Sequence, residues 1–260
     1  MWVFKWTSFR KNNNYVERSL KYNKKVYTMK KLIITVFTSI LLTSTAAFAG
    51  SIQVGVKASQ AFIEATGTET TTAGTVTGGA KNTNSTSVDN SAPIAGAFVE
   101  YSFDSSLYGQ EGNEITIGAN MTFGDADVSD AIHSRTETAE DAAGSGSSGT
   151  PTYEARATVE EYVNYYVEVP LTGMIFVKLG YSEIDVITDE DQEHHGSYGN
   201  ATLEGTSYGI GLKGLNGNMT WKVAYEATDW DSLSLTSTTS NTISADLDVD
   251  ELALSVGYRF

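Results

Sequence analysis

Apolar residues alternate one for one with small or polar residues in the last ten residues of the chain, ELALSVGYRF. Successive side chains of a β-strand point to opposite faces, so this series predicts a strand with one fully apolar face. That face comprises Leu252, Leu254, Val256, Tyr258 and Phe260. Something other than water must cover it, and this requirement constrains the fold more than any other feature of the sequence.

Seven further stretches show the same two-residue period and predict seven more strands. They are SIQVGVKAS (51–59), IAGAFVEYSF (94–103), EITIGANMTFG (114–124), VEEYVNYYVEVP (159–170), MIFVKLGYS (174–182), SYGIGLKG (207–214) and MTWKVAYEA (219–227). Short turns such as PLTG and LNGN alternate along the chain with long polar loops. The long loops are predicted over 67–91, 125–152 and 189–200, and in the Ser/Thr-rich stretch before the last strand.

The face opposite the apolar one holds mainly glycine, serine and threonine with a few charges, which is too sparse for the outer face of a soluble sandwich. The pattern instead predicts that apolar residues face lipid and small residues face a narrow lumen. Unpaired backbone groups in hydrocarbon cost several kcal/mol each, so such a sheet has to close on itself. The predicted fold is therefore all-β, a closed antiparallel transmembrane β-barrel of about eight strands.

The amino-terminal part of the chain differs in charge from the rest. The chain has 17 Lys+Arg, 32 Asp+Glu and no cysteine, yet residues 1–49 hold nine basic residues against Glu17 alone. Residues 29–49, MKKLIITVFTSILLTSTAAFA, have the two lysines, short apolar run and small-residue cleavage site of a cleavable signal peptide. We expect residues 1–28 to be a non-native extension upstream of Met29, and residues 50–260 to form the barrel.

Eight charged residues point into the predicted lumen by strand parity. They are Lys57, Glu100, Glu168, Lys178, Lys213, Lys222, Glu226 and Arg259. A barrel of about eight strands is only wide enough to be filled by its own side chains. Charges buried there persist only when they are paired and hydrogen-bonded. The sequence therefore predicts a salt-bridged plug, and a narrow solvated channel is the alternative.

Three motifs suggest chemistry, and each has a simpler explanation. GIGLKG (209–214) matches the dinucleotide-binding G-x-G-x-x-G, but a turn and a strand follow where that motif needs a helix. His194 and His195 lie among carboxylates, yet adjacent histidines on a loop rarely converge on a metal ion. His133-Ser134 invites a hydrolase interpretation, but all three histidines fall in predicted loops with no oriented base. We predict no enzyme activity, no catalytic residue, no metal site and no cofactor.

Most of the excess negative charge falls in the predicted loops. These acidic residues are Asp125, Asp127, Asp130, Glu137, Glu140, Asp141, those from Asp185 to Glu193 inclusive, Asp229, Asp231, Asp246, Asp248 and Asp250. Such loops are expected to crown the outer face, repel anions and attract divalent cations diffusely. Nucleic acid is not an expected partner, because phosphate binding needs clustered Lys and Arg.

With these features the chain resembles the small outer-membrane β-barrels of the outer-membrane protein A and opacity-protein type, over the signal peptide and roughly all of residues 50–260. The most specific shared feature is the series that ends in Tyr258-Arg259-Phe260. In that family, a terminal aromatic residue after alternating apolar residues is read by the outer-membrane assembly machinery. The resemblance implies this role for Leu252, Leu254, Val256, Tyr258 and Phe260.

The resemblance also implies export to the outer membrane, with membrane lipids, the barrel assembly machinery and periplasmic chaperones as partners. The expected function is structural, in the integrity and surface properties of the cell envelope. Two alternatives remain open at this point. One is a narrow porin-like channel for small solutes, with cation preference from the acidic loops. The other is a surface adhesin or receptor that acts through those loops.

Overall fold

The computed structural model describes residues 50–70, 83–104, 114–128, 133–136, 152–191, 197–238 and 241–260, which form eleven strands. The strands are β1 (Gly50–Thr70), β2 (Thr83–Asp104), β3 (Glu114–Phe123), β4 (Ala126–Asp127), β5 (His133–Thr136), β6 (Thr152–Thr172), β7 (Ile175–Asp191), β8 (Ala201–Asn216), β9 (Met219–Trp230), β10 (Leu233–Thr236) and β11 (Thr242–Arg259). The predicted signal peptide and the segment upstream of it lie outside the described residues. No helix in the described part of the chain is long and apolar enough to cross a membrane.

Eight of the strands close into a ring. The order is β1-β2-β3-β6-β7-β8-β9-β11, every neighbouring pair is antiparallel, and β11 pairs back onto β1. The closing ladder is long, since it runs from Gln53 opposite Arg259 to Thr70 opposite Thr242. The predicted closed antiparallel barrel of about eight strands is thus confirmed.

The strands are staggered around the ring. The stagger can be counted by following paired residues from each strand to the next around the ring. The path that starts at Val54 on β1 passes through Val99 and Tyr181 and returns to β1 at Glu64, ten residues further along the strand. In a closed barrel this stagger and the number of strands together set the tilt and the diameter. Eight strands leave an interior that side chains can fill, so the inward residues of different strands meet across the lumen.

The outward face of the barrel is an apolar belt. Val56 and Leu179 are each 63% exposed, and the members of this belt on all eight ring strands alternate with inward residues. On β6 the belt runs from Val163 to Leu171. Aromatic residues are abundant on the belt, as at the girdles of transmembrane barrels, and include Tyr101, Phe103, Tyr165, Tyr181, Tyr208, Trp221, Tyr225, Tyr258 and Phe260.

Two of the predicted tight turns join neighbouring strands at the end of the barrel opposite the long connections. Gly173 and Gly217 sit in these turns with φ of 55° and 60°. Glycine has no Cβ and adopts positive φ without strain, which suits it to both positions. PLTG and LNGN therefore act as the β6–β7 and β8–β9 turns.

The strands extend further than predicted at the end that carries the long connections. The loops predicted over 67–91 and 125–152 are wrong in part, because β1 continues to Thr70, β2 begins at Thr83, and β4 and β5 pair with β6. Polar Thr- and Ser-rich stretches lack the two-residue period, but the backbone ladders of their neighbours hold them as strands.

Several acidic residues predicted for loops consequently lie on strands. Asp229, Asp246, Asp248 and Asp250 are on β9 or β11, and Asp185 is a buried residue of β7. Outward carboxylates just above the belt form an acidic collar on β1, β7, β8, β9 and β11: Glu64, Glu183, Glu204, Asp229, Asp248 and Asp250. The collar marks where the outer face changes from apolar to charged.

The belt and the collar predict effects of different size for the same substitution at two positions on one strand. Val56→Lys should destabilise the folded barrel by about 2–4 kcal/mol, because it places a charge on the lipid-facing midplane. Thr66→Lys lies on the same face of β1 but above Glu64, and should change stability by about 0–1 kcal/mol. Urea titration of the protein folded in lipid vesicles measures both. Equal effects would contradict the placement of the belt in lipid.

Candidate functional site

The eight charged residues predicted for the lumen all lie on the inward face of the barrel. Six of them are buried: Lys57, Glu100, Glu168, Lys178, Lys222 and Glu226. Lys213 and Arg259 are partly buried, near the end that carries the tight turns. The eight residues come from seven different strands, so the closure of the ring and not local sequence brings them together.

Lys222 is the centre of this lumen charge network. Its Nζ donates to Glu100, and to Glu168 Oε1 at 2.7 Å. Glu100 is 2% exposed and also accepts hydrogen bonds from the Tyr166 hydroxyl and from Gln53 Nε2, the latter at 3.0 Å. Glu100 therefore has charge compensation together with two neutral donors, as a carboxylate out of water requires.

A second pair lies beside the first. Lys178 Nζ donates to both carboxylate oxygens of Glu226, at 2.8 and 2.7 Å. The same ammonium lies 3.9 Å from the centroid of the Tyr166 ring, within the range of a cation–π contact. Because Tyr166 also donates to Glu100, its side chain links the two ion-pair clusters.

Two partners of this network were missing from the sequence prediction. Lys57 Nζ lies 2.6 Å from Glu251 Oε1, and Arg259 forms a two-armed pair with Glu114, with Nη1 to Oε2 at 2.9 Å. Strand parity could have found both carboxylates, because Glu251 and Glu114 share the inward face with Ala253 and Thr116. Each lies at the first residue of an alternating stretch, so an assignment of inward residues that starts one position too late omits it.

The described network is balanced in charge. It contains five cationic and five anionic side chains. The cations are Lys57, Lys178, Lys213, Lys222 and Arg259, and the carboxylates are Glu100, Glu114, Glu168, Glu226 and Glu251. Buried unpaired charges would cost several kcal/mol each, so this balance is what allows the charges to remain inside. The network lines a cavity of about 20 Å³, close to the space that one water molecule needs.

Inward glycines make room for the larger lumen side chains. A Cβ on Gly118 would lie 2.6 Å from the Tyr166 ring and 2.8 Å from Glu100 Cγ. On β8, a Cβ on Gly209 would lie 2.9 Å from Glu226 Cγ, and one on Gly211 would lie 2.5 Å from Phe176. Gly209 and Gly211 of GIGLKG therefore face other side chains inside the lumen, whereas Gly214 faces outward, where a Cβ would lie 2.5 Å from the Trp221 ring. The strand that holds all three continues into a tight turn and β9.

The inward face changes character above the network, which corrects the expectation of a small and polar lumen throughout. Ile63, Ile184, Val186, Leu203 and Leu247 form a buried apolar cluster there. Partly buried residues such as Tyr162 and Trp230 pack against it. At the height of the acidic collar the barrel is thus apolar inside and charged outside, as in a water-soluble protein.

The other candidate residues are dispersed. His133 begins strand β5 and pairs with Ala155, so its predicted loop position is wrong. His194 and His195 lie outside the described residues. Within the described ranges, no group of three or more His, Asp or Glu side chains is placed to hold a metal ion.

The five residues predicted to guide assembly lie on the outer face of the barrel. Leu252, Leu254, Val256, Tyr258 and Phe260 are all exposed, and Phe260 is 72% exposed. Its ring meets Tyr258 edge-on, with centroids 5.0 Å apart, and its backbone N–H donates to the Ile52 carbonyl at 2.8 Å. A closed hydrogen-bonded ring with an apolar belt outside is the architecture of an outer-membrane-type β-barrel.

Comparison with known proteins adds structural likenesses. No family model matches the chain, and no curated protein matches it in sequence. The attachment invasion locus protein Ail of Yersinia pestis is similar at 13% identity and a TM-score of 0.35, over 81% of this chain and 97% of that one. The outer membrane protein OprG of Pseudomonas aeruginosa is similar at 12% identity and a TM-score of 0.40, over 82% and 97%.

The outer membrane protease OmpT of Escherichia coli is similar at 12% identity and a TM-score of 0.38, over 84% of this chain and 100% of that one. Because all three TM-scores lie below 0.5, we infer the function of this chain from its own barrel.

The network predicts unequal effects for two lysines. Lys222→Met should lower the free energy of unfolding by about 3–5 kcal/mol, because Glu100 and Glu168 lose their shared cation while buried. Lys213 is 26% exposed and lies 3.8 Å from Glu168, so Lys213→Met should cost no more than about 1 kcal/mol. Urea titration in vesicles compares the two variants. A Lys222→Met barrel as stable as the Lys213→Met barrel would show that the network is not what holds the carboxylates inside.

Proposed function

We propose that the protein is an integral outer-membrane β-barrel with a structural role in the cell envelope and at its surface. In this proposal the lumen is plugged by the paired charges, and the barrel presents an acidic rim to the exterior. No reaction is assigned to it. The observation that carries the proposal is the balanced charge network inside a ring that closes on itself.

The outer face supports a membrane location. Large apolar side chains that are half exposed or more, such as Val56, Leu179, Ile210 and Leu254, would be costly in contact with water over so wide an area. Acyl chains remove that cost, and the aromatic residues of the belt suit the interfaces on either side. Because hydrocarbon offers no hydrogen-bond partners, the continuous ladders from β1 round to β11 match that setting.

The inner face supports a plug in preference to a channel. A channel for hydrated solutes needs side chains that leave a path of water between them. Here Lys222 on β9 pairs with Glu100 on β2 and Glu168 on β6 across the lumen, and the other buried lysines pair with carboxylates on nearby strands. Phe98, Tyr166 and Phe176 are also buried inside and fill space between the pairs. Opening such a path would separate ion pairs in a low-dielectric interior, which is energetically unfavourable.

Planar-bilayer recording separates the plug from the channel. The refolded wild-type protein should give no reproducible conductance steps, because the ion pairs occupy the lumen. Removing two central partners together, as Glu100→Ala with Lys222→Ala, should introduce steps, since both side chains of one pair are shortened. Regular steps from the wild-type protein that vanish when Lys213 or Glu100 is altered would contradict the plug and support a channel.

We also propose that membrane lipids, the barrel assembly machinery and periplasmic chaperones are the partners of the chain, with diffuse attraction of divalent cations at its acidic end. Recognition by the assembly machinery would use Leu252, Leu254, Val256, Tyr258 and Phe260. The exposure of these side chains supports the proposal. They pack little against the rest of the barrel and contribute little to its stability, so they are accessible to a partner that recognises them.

Phe260→Ala tests the assembly role. The change should lower insertion into the outer membrane in cells, while the stability of purified, refolded barrel changes by only about 0.5 kcal/mol, as for a surface substitution. Leu215→Ala is the matched control, because Leu215 is 54% exposed and lies near the same end of the barrel. Fractionation of cell envelopes measures insertion. Normal insertion of Phe260→Ala, or an equal loss in Leu215→Ala, would argue against recognition through Phe260.

A further inference from the structure

The wall of the barrel is irregular where β3 gives way to β4. The β3–β6 ladder has its last pair at Met121 and Val163, and pairing resumes at Ala126 opposite Val159. The intervening residues 122–125 face residues 160–162 without a registered pair. Glu161 in this gap has φ of 57°, a conformation that non-glycine residues adopt rarely and at a cost in strain.

An apolar chamber of about 60 Å³ opens at this gap. On the lumen side it is lined by members of the upper apolar cluster, including Ile63, Ile184 and Leu247. On the other side it reaches Pro93 and Phe123, which are exposed on the outer face. The chamber therefore connects the apolar interior with the lipid-facing surface through the wall.

The chamber ends at the lumen charge network. Glu251, the partner of Lys57, lines it together with Tyr162. Tyr162 in turn accepts a hydrogen bond from Asn164 Nδ2 at 2.9 Å. An apolar molecule that entered from the wall would meet paired charges below, so the chamber offers it no path through the barrel.

The mouth of the chamber is negatively charged. Asp125 and Glu160 line it, above the belt at the level of the acidic collar. Partial burial raises the pKa of the Glu160 carboxyl, and the nearby charges of Asp125, Glu161 and Asp185 raise this pKa further. An anionic head group at the mouth would add to this repulsion, whereas an uncharged or cationic one would not.

We propose that this chamber binds the end of a linear alkyl chain that carries an uncharged or cationic head group, and that the chain enters sideways through the gap between β3 and β6. The size fits a slender chain and not a ring, because a cavity of roughly 150 Å³ is the kind that admits benzene. The position fits as well, since the gap lies where the apolar belt meets the charged collar. The lumen charge network plays no part beyond forming the floor.

Quenching of Trp230 by brominated alkyl probes tests the proposal. Trp230 lines the chamber, and Trp221→Phe leaves it as the single tryptophan of residues 50–260. The barrel is placed in bilayer discs of unbrominated lipid and titrated with ω-bromododecanol, ω-bromododecyl-trimethylammonium or ω-bromododecanoate. The alcohol and the ammonium should quench saturably, and the carboxylate should need a roughly tenfold higher concentration for half-quenching because of like-charge repulsion at the mouth.

Two variants make the result specific to the chamber. Ala126→Phe fills the gap and should abolish the saturable quenching, whereas Ala227→Phe adds the same ring on the outer face of β9 and should leave it unchanged. Glu160→Gln adds no volume and removes one charge at the mouth. It should lower the half-quenching concentration of the carboxylate probe to that of the alcohol. Heat-modifiable mobility on gels verifies that each variant is a closed barrel, and Glu160→Gln keeps the test decisive if Ala126→Phe does not fold.

A second arm of the experiment distinguishes the two sources of the alkyl chain, a bilayer lipid and a free amphiphile. Discs made from lipid brominated on the acyl chain, without free probe, should quench Trp230 in an Ala126-dependent way if the chain belongs to a bilayer lipid. Quenching only by added probe would identify a free amphiphile as the occupant. Quenching that is not saturable, that survives Ala126→Phe, or that is equal for all three head groups with and without Glu160→Gln would overturn the proposal.

Discussion

The pairing of β11 with β1 is the interaction on which the rest of the structure depends. Water satisfies the unpaired backbone groups of an edge strand in a soluble sheet, but hydrocarbon cannot. The ladder from Gln53–Arg259 to Thr70–Thr242 removes both edges at once. Once the ring is closed, every residue on a strand must face either the lipid or the lumen, and the two-residue period assigns it to one of them.

Closure at eight strands also decides what the lumen can hold. In a ring of eight strands, inward residues from strands far apart in the sequence come within bonding distance. Lys222 meets Glu100 and Glu168 across the barrel, and Lys178 meets Glu226. Buried charge is tolerated here because each ammonium has a carboxylate, and because inward glycines such as Gly118 and Gly209 leave space for the pairs.

The barrel has two parts with opposite polarity. Within the belt, apolar residues face outward and charges face inward, whereas near Ile63 and Leu247 the interior is apolar and the acidic collar faces outward. A single strand such as β1 passes through both, with Lys57 inside one part and Ile63 inside the other. The change from lipid to water around the barrel accounts for this reversal, and the gap between β3 and β6 lies at the boundary.

The sequence by itself determined the class of fold and the direction of most side chains, because alternation is a local property and lipid then forces closure. Val56 and Lys57 could be assigned to opposite faces, and Glu114 and Glu251 could have been assigned in the same way. Only the tertiary structure decided which charges pair, because Lys222 and Glu100 meet through the stagger of the ring. It also decided how far the Thr- and Ser-rich strands extend, why His133 lies on a strand, and where the wall opens beside Glu161, since neighbouring ladders fix each of these and no local pattern marks them.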